Sequence, residues 1–120
     1  MNARTLIFPR AYDQSGRLIF TRVFLPSTFI DRLRGLLGRR TPRVQDAWWF
    51  DHCSTIHTFG MSFPIDVLHL SQSGLILRIS ADVMPSRISA CPGATQVVEL
   101  RKGAAALLDL QIGQRLEIRR

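Results

Sequence analysis

Two short turn signals constrain this chain more tightly than any other feature. Asp13-Gln14-Ser15-Gly16 and Ser71-Gln72-Ser73-Gly74 each lie between runs of strand-forming residues. Small polar residues closing on glycine supply the local side-chain bonds and the positive φ that a hairpin loop requires. The first turn is flanked by Leu6-Ile7-Phe8 and Leu18-Ile19-Phe20, which predicts a hairpin over residues 4–25 ended by Pro26. Alternation sets Leu18, Phe20 and Arg22 on one face of its second strand and Ile19, Thr21 and Val23 on the other. The second turn joins Ile65–Leu70 to Leu75–Ser80. Simple pairing there puts Asp66, Leu68, Leu70, Leu75, Leu77 and Ile79 on one face. Ile65, Val67, His69, Ile76, Arg78 and Ser80 take the other.

The remaining segments fit around these hairpins. Residues 28–39 predict a helix, with Thr28 and Asp31 at capping-box spacing and Phe29, Leu33, Leu36 and Leu37 on one stripe. Gly35 and Gly38 weaken it and Pro42 closes the segment. Ala47-Trp48-Trp49-Phe50 is β-prone. Residues 81–93, with Pro85, Pro92 and Gly93, read as an irregular loop. Thr95–Leu100 reads as a strand, Gly103–Asp109 as a short helix and Arg115–Ile118 as a last strand. No linker divides the chain, so residues 1–120 form a single domain. The expected fold class is mostly β (α+β): a compact antiparallel β-barrel or sandwich with one or two short helices.

Composition removes several classes. With 46% hydrophobic and 21% charged residues the chain is no disordered tail. Two cysteines in 120 residues make no disulfide scaffold. Leu6–Phe8 is too short for a signal-peptide core, and no window reaches the roughly 18 apolar residues of a membrane span. The expectation is a soluble, bacterial, cytoplasmic protein whose Cys53 and Cys91 are thiols. The charge of +7 is carried by fifteen arginines and one lysine. Most arginines are scattered; Arg32, Arg34, Arg39, Arg40 and Arg43 cluster, as do Arg119 and Arg120. No aromatic residues interleave with them, which weighs against a nucleic-acid partner.

The chemically richest stretch runs from Asp51 to Pro64 and holds His52, Cys53 and His57. On a strand Cys53 and His57 lie about 13 Å apart, too far to share one ion. No metal and no cofactor is therefore expected. Cys53 or Cys91 with His57 as base would make a thiol dyad, although no nucleophile elbow accompanies it. Asp66 falls on an otherwise apolar face and needs donors or a cation there. His57, Thr58, the N–H groups near Gly60 and Arg39 are the candidate donors. The same acid serves either a network that locks the 57–66 loop onto the sheet or the floor of a polar pocket. The 28–39 helix is basic and amphipathic, but its stripe fits a protein core better than a membrane surface.

Three stretches resemble one family. Arg34-Gly35-Leu36-Leu37-Gly38-Arg39 is similar to its Gly-Leu-Met block. Ile56-His57-Thr58-Phe59-Gly60-Met61 with Pro64-Ile65-Asp66-Val67 is similar to its central block, in the branch reading Ile-His-Thr-Phe-Gly-Met. Val98-Glu99-Leu100, Gly103 and Leu110–Gly113 are similar to its C-terminal block. By these motifs, over roughly residues 30–118, the chain resembles the DUF192 family (domain of unknown function). The resemblance implies a compact β-rich barrel or sandwich with one or two short helices; the family has no established activity, so it fixes the fold better than the function. It also implies an envelope or pilus-assembly context. Leu37 stands where methionine is common, and Gln114 where the family usually has Asp, so a ligand role for that acid is absent.

The resulting expectation is a small binding or accessory domain, more in keeping with a non-enzyme than an enzyme. Its ligand site comprises Arg39, His57, Thr58, Met61 and Asp66, with no catalytic residue assigned. The ligand is a small polar molecule or a protein partner. The alternatives are a small hydrolase or transferase using Cys53 or Cys91 with His57 and Asp66, and a nucleic-acid module using the arginine cluster.

Overall fold

The computed structural model describes residues 8–26, 41–53, 55–57, 63–84 and 88–120, with backbone alone for 55–57, 88 and 89. The expected 28–39 helix, Leu6 and Ile7 lie outside the described residues. Strands β1 (Arg10–Asp13), β2 (Leu18–Phe20) and β10 (Leu116–Arg119) form one antiparallel sheet in the order β10-β1-β2. A larger sheet has the order β3-β4-β9-β6-β7, from Arg22–Phe24, Asp46–Asp51, Gln96–Arg101, Ile65–Leu70 and Ile76–Val83. A separate ribbon pairs β5 (Thr55–His57) with β8 (Ile88–Ala90). The helix α1 is one turn, Ala104–Leu107. The two main sheets pack face to face, so of the two expected architectures the chain adopts the sandwich.

Both turns form as the sequence predicts, and they form alike. Gly16 donates to the Asp13 carbonyl and Gly74 to the Ser71 carbonyl, each at 3.0 Å. Both glycines have φ of 87°. In each, the first residue's side chain also accepts from the backbone: Asp13 Oδ1 from Ser15 and Arg17, and Ser71 Oγ from Leu75.

Four expectations change. The strand paired with β2 before the first turn is Arg10–Asp13, closer to the turn than the expected apolar run. The second strand breaks at Thr21, whose N–H donates to the Gln45 carbonyl at 3.0 Å, so β2 stays in the small sheet and β3 enters the large one. This corner lets Ile19, Phe20 and Val23 all enter the core, which unbroken alternation forbids. Strand β3 then runs parallel to β4, a pairing that needs a long crossover; residues 25–45 provide it. Finally, part of the 81–93 loop is strand, since β7 extends to Val83 and β8 lies within it.

The β6–β7 register also departs from simple pairing. Leu68 opposes Ile79 and His69 opposes Arg78, but Leu70 opposes Ile76. The extra residue on β7 is a bulge, and it moves Ile76 onto the face of Leu68 and Leu70. The space between the sheets is filled by these three with Ile19, Phe20, Trp49, Val98, Leu100 and Leu116. Burying each such side chain stabilises the fold by about 1.5–3 kcal/mol. The sheets meet at one margin through a Leu75–Arg115 bridge and a 2.8 Å bond from the Ile76 N–H to the Gln114 carbonyl.

Candidate functional site

A sandwich buries one face of each sheet and leaves the other to solvent. The large sheet departs from this rule: β6, Ile-Asp-Val-Leu-His-Leu, is buried at all six positions. Its outer face carries Ile65, Val67 and Val97, fully buried in a second cluster with Trp48, Cys53, Phe63 and Val83 against it. Strand register arranges the polar groups of that face. One row across the sheet reads Phe24, Trp48, Glu99, Val67, Ser80; the next reads Phe50, Val97, His69, Arg78.

His69 and Glu99 are therefore diagonal neighbours on adjacent strands, with Cβ atoms about 7 Å apart by sheet geometry. Their exposures are 0% and 5%. Burial depresses the His69 pKa below its ordinary 6.5, and the nearby positive Arg78 adds to the effect. The imidazole is thus neutral at neutral pH and carries one donor and one acceptor nitrogen.

The chemically rich segment begins and ends on this face. Cys53 and Phe63 both pack against the Ile65–Val67–Val97 cluster. The Cys53 N–H is tied to the Thr95 carbonyl at 2.8 Å. The backbone of His57 pairs with Ile88 in the β5–β8 ribbon. Arg78, in the row of His69, anchors that ribbon by donating from Nη1 to the Ala90 carbonyl at 2.6 Å.

Asp66 sits on the opposite, inner side and is 1% exposed. Its Oδ1 accepts the Asp82 N–H at 2.9 Å and its Oδ2 accepts the Ala105 N–H at 3.0 Å. Asp82 has φ of 55°, in the left-handed region, where β7 bulges against β6. Ala105 lies in the first turn of α1, whose N-cap, Gly103, offers no side chain. The carboxylate therefore replaces a missing strand partner and a missing helix cap together.

Of the expected site residues, Asp66 is thus separated by the sheet from the face that carries His69 and Glu99. Arg39, Thr58 and Met61 lie outside the described residues, as does the His57 side chain. Cys91 is half-buried at the turn after β8. Among the described residues no group of three His, Cys, Asp or Glu is placed to hold a metal ion. Sequence reasoning passed over His69 and Glu99. Their signal was a strand apolar on both faces, which marks a sheet covered on both sides and makes any polar residue in it notable.

Two solved structures share the fold. A protein of unknown function from Novosphingobium aromaticivorans matches with a TM-score of 0.77 and 24% identity, over 91% of this chain and 83% of that one. A putative transcription regulator from Sinorhizobium meliloti matches with a TM-score of 0.78 and 26% identity, over 92% and 91%. No curated protein matches the chain. Residues 12–118 match one family profile, described as "Uncharacterized ACR".

Proposed function

We propose, from the premise that the chain belongs to the DUF192 family, that it is a non-enzymatic binding or accessory domain. It holds a small polar molecule, or a peptide segment of a partner, against the outer face of the large sheet. The supporting observation is the burial of His69 and Glu99 on that face, bracketed by the two ends of the 53–63 segment. His57, Thr58 and Met61 of that segment are the proposed contacts from above, with Arg39 for an anionic group. Asp66 holds the sheet and α1 rigid beneath them. No helix among the described residues is long and apolar enough to cross a membrane. An envelope or pilus-assembly setting belongs to the peptide form of this proposal.

A thermal-shift screen of metabolites, anions and peptides tests it. A ligand at a hundred times its Kd raises stability by about 2.7 kcal/mol. The reading expects such a shift, and expects Glu99→Gln or His57→Gln to weaken it. No shift with any compound, joined to no partner in a pull-down, overturns it.

The hydrolase or transferase reading has one observation in its favour: Cys53 is half-buried against the same cluster. Against it, both oxygens of the acid meant to orient His57 are occupied on the inner side. Iodoacetamide separates the two readings. A thiolate mechanism requires Cys53 or Cys91 to react faster than a free thiol at neutral pH.

A further inference from the structure

The first hairpin turn and the turn between α1 and β10 enclose a cleft of about 530 Å³. Asp13, Gln14 and Arg17 line it from the first turn, and Asp109, Gln111 and Ile112 from the second. Three bonds lock the turns together. Gln114 Nε2 donates to Asp13 Oδ2 at 3.1 Å, the Arg115 N–H to Gln14 Oε1 at 3.0 Å, and Arg17 Nη2 to the Leu108 carbonyl. Within the second turn, Gln111 Nε2 donates to Asp109 Oδ1 and the Gln111 N–H to Gln114 Oε1, each at 3.0 Å. The walls are thus fixed before any ligand arrives, which keeps the ordering cost of binding low.

These bonds leave a particular set of atoms over. Gln14 Nε2, Arg17 Nη1, Asp109 Oδ2 and Gln111 Oε1 enter no hydrogen bond among the described residues, and all four side chains are exposed. Two of these atoms donate and two accept. Ile112, 67% exposed, adds an apolar surface to the same wall. Asp13 and Asp109 outweigh Arg17 by one negative charge, in a chain whose net charge is +7. That balance disfavours phosphates and carboxylates. Among the described residues no aromatic ring lines the cleft, so nothing there stacks a nucleobase. A hydroxyl both donates and accepts at one atom. Several on adjacent carbons satisfy mixed donors and acceptors without stranding either kind. The volume falls within the roughly 300–1,000 Å³ of small-molecule sites.

We infer that this cleft binds a small neutral carbohydrate, a mono- or disaccharide. Its hydroxyls donate to Asp109 and Gln111 and accept from Gln14 and Arg17, while the C–H surface of a ring covers Ile112. This inference stands without the preceding one. No residue of the rows that hold Glu99 and His69, and none of the 53–63 segment, lines the cleft.

Nitrogen-15 amide spectra of the full chain read the site directly. The probes are glucose, N-acetylglucosamine and maltose, with inorganic phosphate, leucine and choline for comparison. At least one sugar is expected to shift the Gln14 and Gln111 side-chain amides and the Gly113 N–H saturably. Asp109 has φ of 54°, a conformation that asparagine tolerates well, so Asp109→Asn keeps the turn and the bond from Gln111. It replaces the spare acceptor with a donor, and is expected to weaken the sugar about tenfold or more. Ile112→Ser, at an exposed position, is expected to weaken it several-fold. The inference is overturned by no saturable shift with any of the three sugars at tens of millimolar, or by either variant binding as the parent does. Leucine, choline or phosphate binding more tightly than every sugar overturns it equally. Glu99→Gln is expected to leave the sugar shifts untouched. A sugar lost in Glu99→Gln and kept in Asp109→Asn belongs to the outer face of the large sheet and overturns the assignment to this cleft.

Discussion

The Asp66 carboxylate accepts one amide hydrogen from β7 and one from α1, so its removal strands a part-buried donor on one element and a buried donor on the other. Asp66→Ala is expected to destabilise the fold by about 2–4 kcal/mol, measured by urea denaturation. Asp66→Asn keeps one acceptor oxygen and sets an NH2 group against the other N–H, and is expected to cost about 1–3 kcal/mol. An unfolding midpoint unchanged in both variants would refute this account. The need of Asp66 for donors was legible from its place on an apolar face. The identity of the donors was not, because it depends on the left-handed turn at Asp82 and on a helix that starts far along the chain.

At the scale of elements, the two hairpin turns share a motif and differ in what surrounds them. Gly16 and Gly74 both sit at φ of 87°, so alanine at either is strained by about 1–2 kcal/mol. A Cβ on Gly16 meets open space, whereas one on Gly74 runs into the Leu116 carbonyl of β10. Gly16→Ala is expected to cost about 1–2 kcal/mol and Gly74→Ala about 3 kcal/mol or more. Equal losses in chemical denaturation would contradict the close approach of β10. Sequence reasoning reached the turns because Gln-Ser-Gly acts locally. It reached β4, β6, β9, β10 and α1 for the same reason. It missed the corner at Thr21, the bulge that turns Ile76 inward and the parallel β3–β4 pair, since each is imposed by a partner distant in sequence. The candidate site divides along the same line. The 53–63 segment was visible as a motif, but the diagonal placement of His69 and Glu99 on one face of the large sheet follows from strand order.

For the molecule as a whole, burial of a neutral histidine makes stability depend on pH. The folded pKa of His69 lies below 6.5, so the unfolded chain binds more protons between the two values. Stability is expected to be full above 6.5 and to fall as the pH drops through the folded value. Denaturant midpoints taken along that interval should fall, and His69→Gln should flatten the trend. Asp13 responds in a separate window. Its pKa is lowered to about 2, first by the Ser15 hydroxyl and further by the Arg17 and Ser15 N–H groups and Gln114, against a smaller opposing effect of burial. Its contribution is complete above the ordinary 3.8 and is lost as the pH falls through about 2, which a carbon-13 titration of its carboxyl should show directly.

Strand β1 pairs with β10, Arg10 opposite Arg119, so the small sheet joins the beginning and the end of the described chain. Such a junction is a ring closure, and its entropy must be met before most other contacts of that sheet can form. A nascent chain on the ribosome can pair β6 with β7 early but must wait for its last strand to complete the sandwich. A circular permutant that joins the two ends and opens at the exposed Pro92–Gly93 turn would convert this last and longest closure into a local hairpin. It should reach the same fold by a faster route.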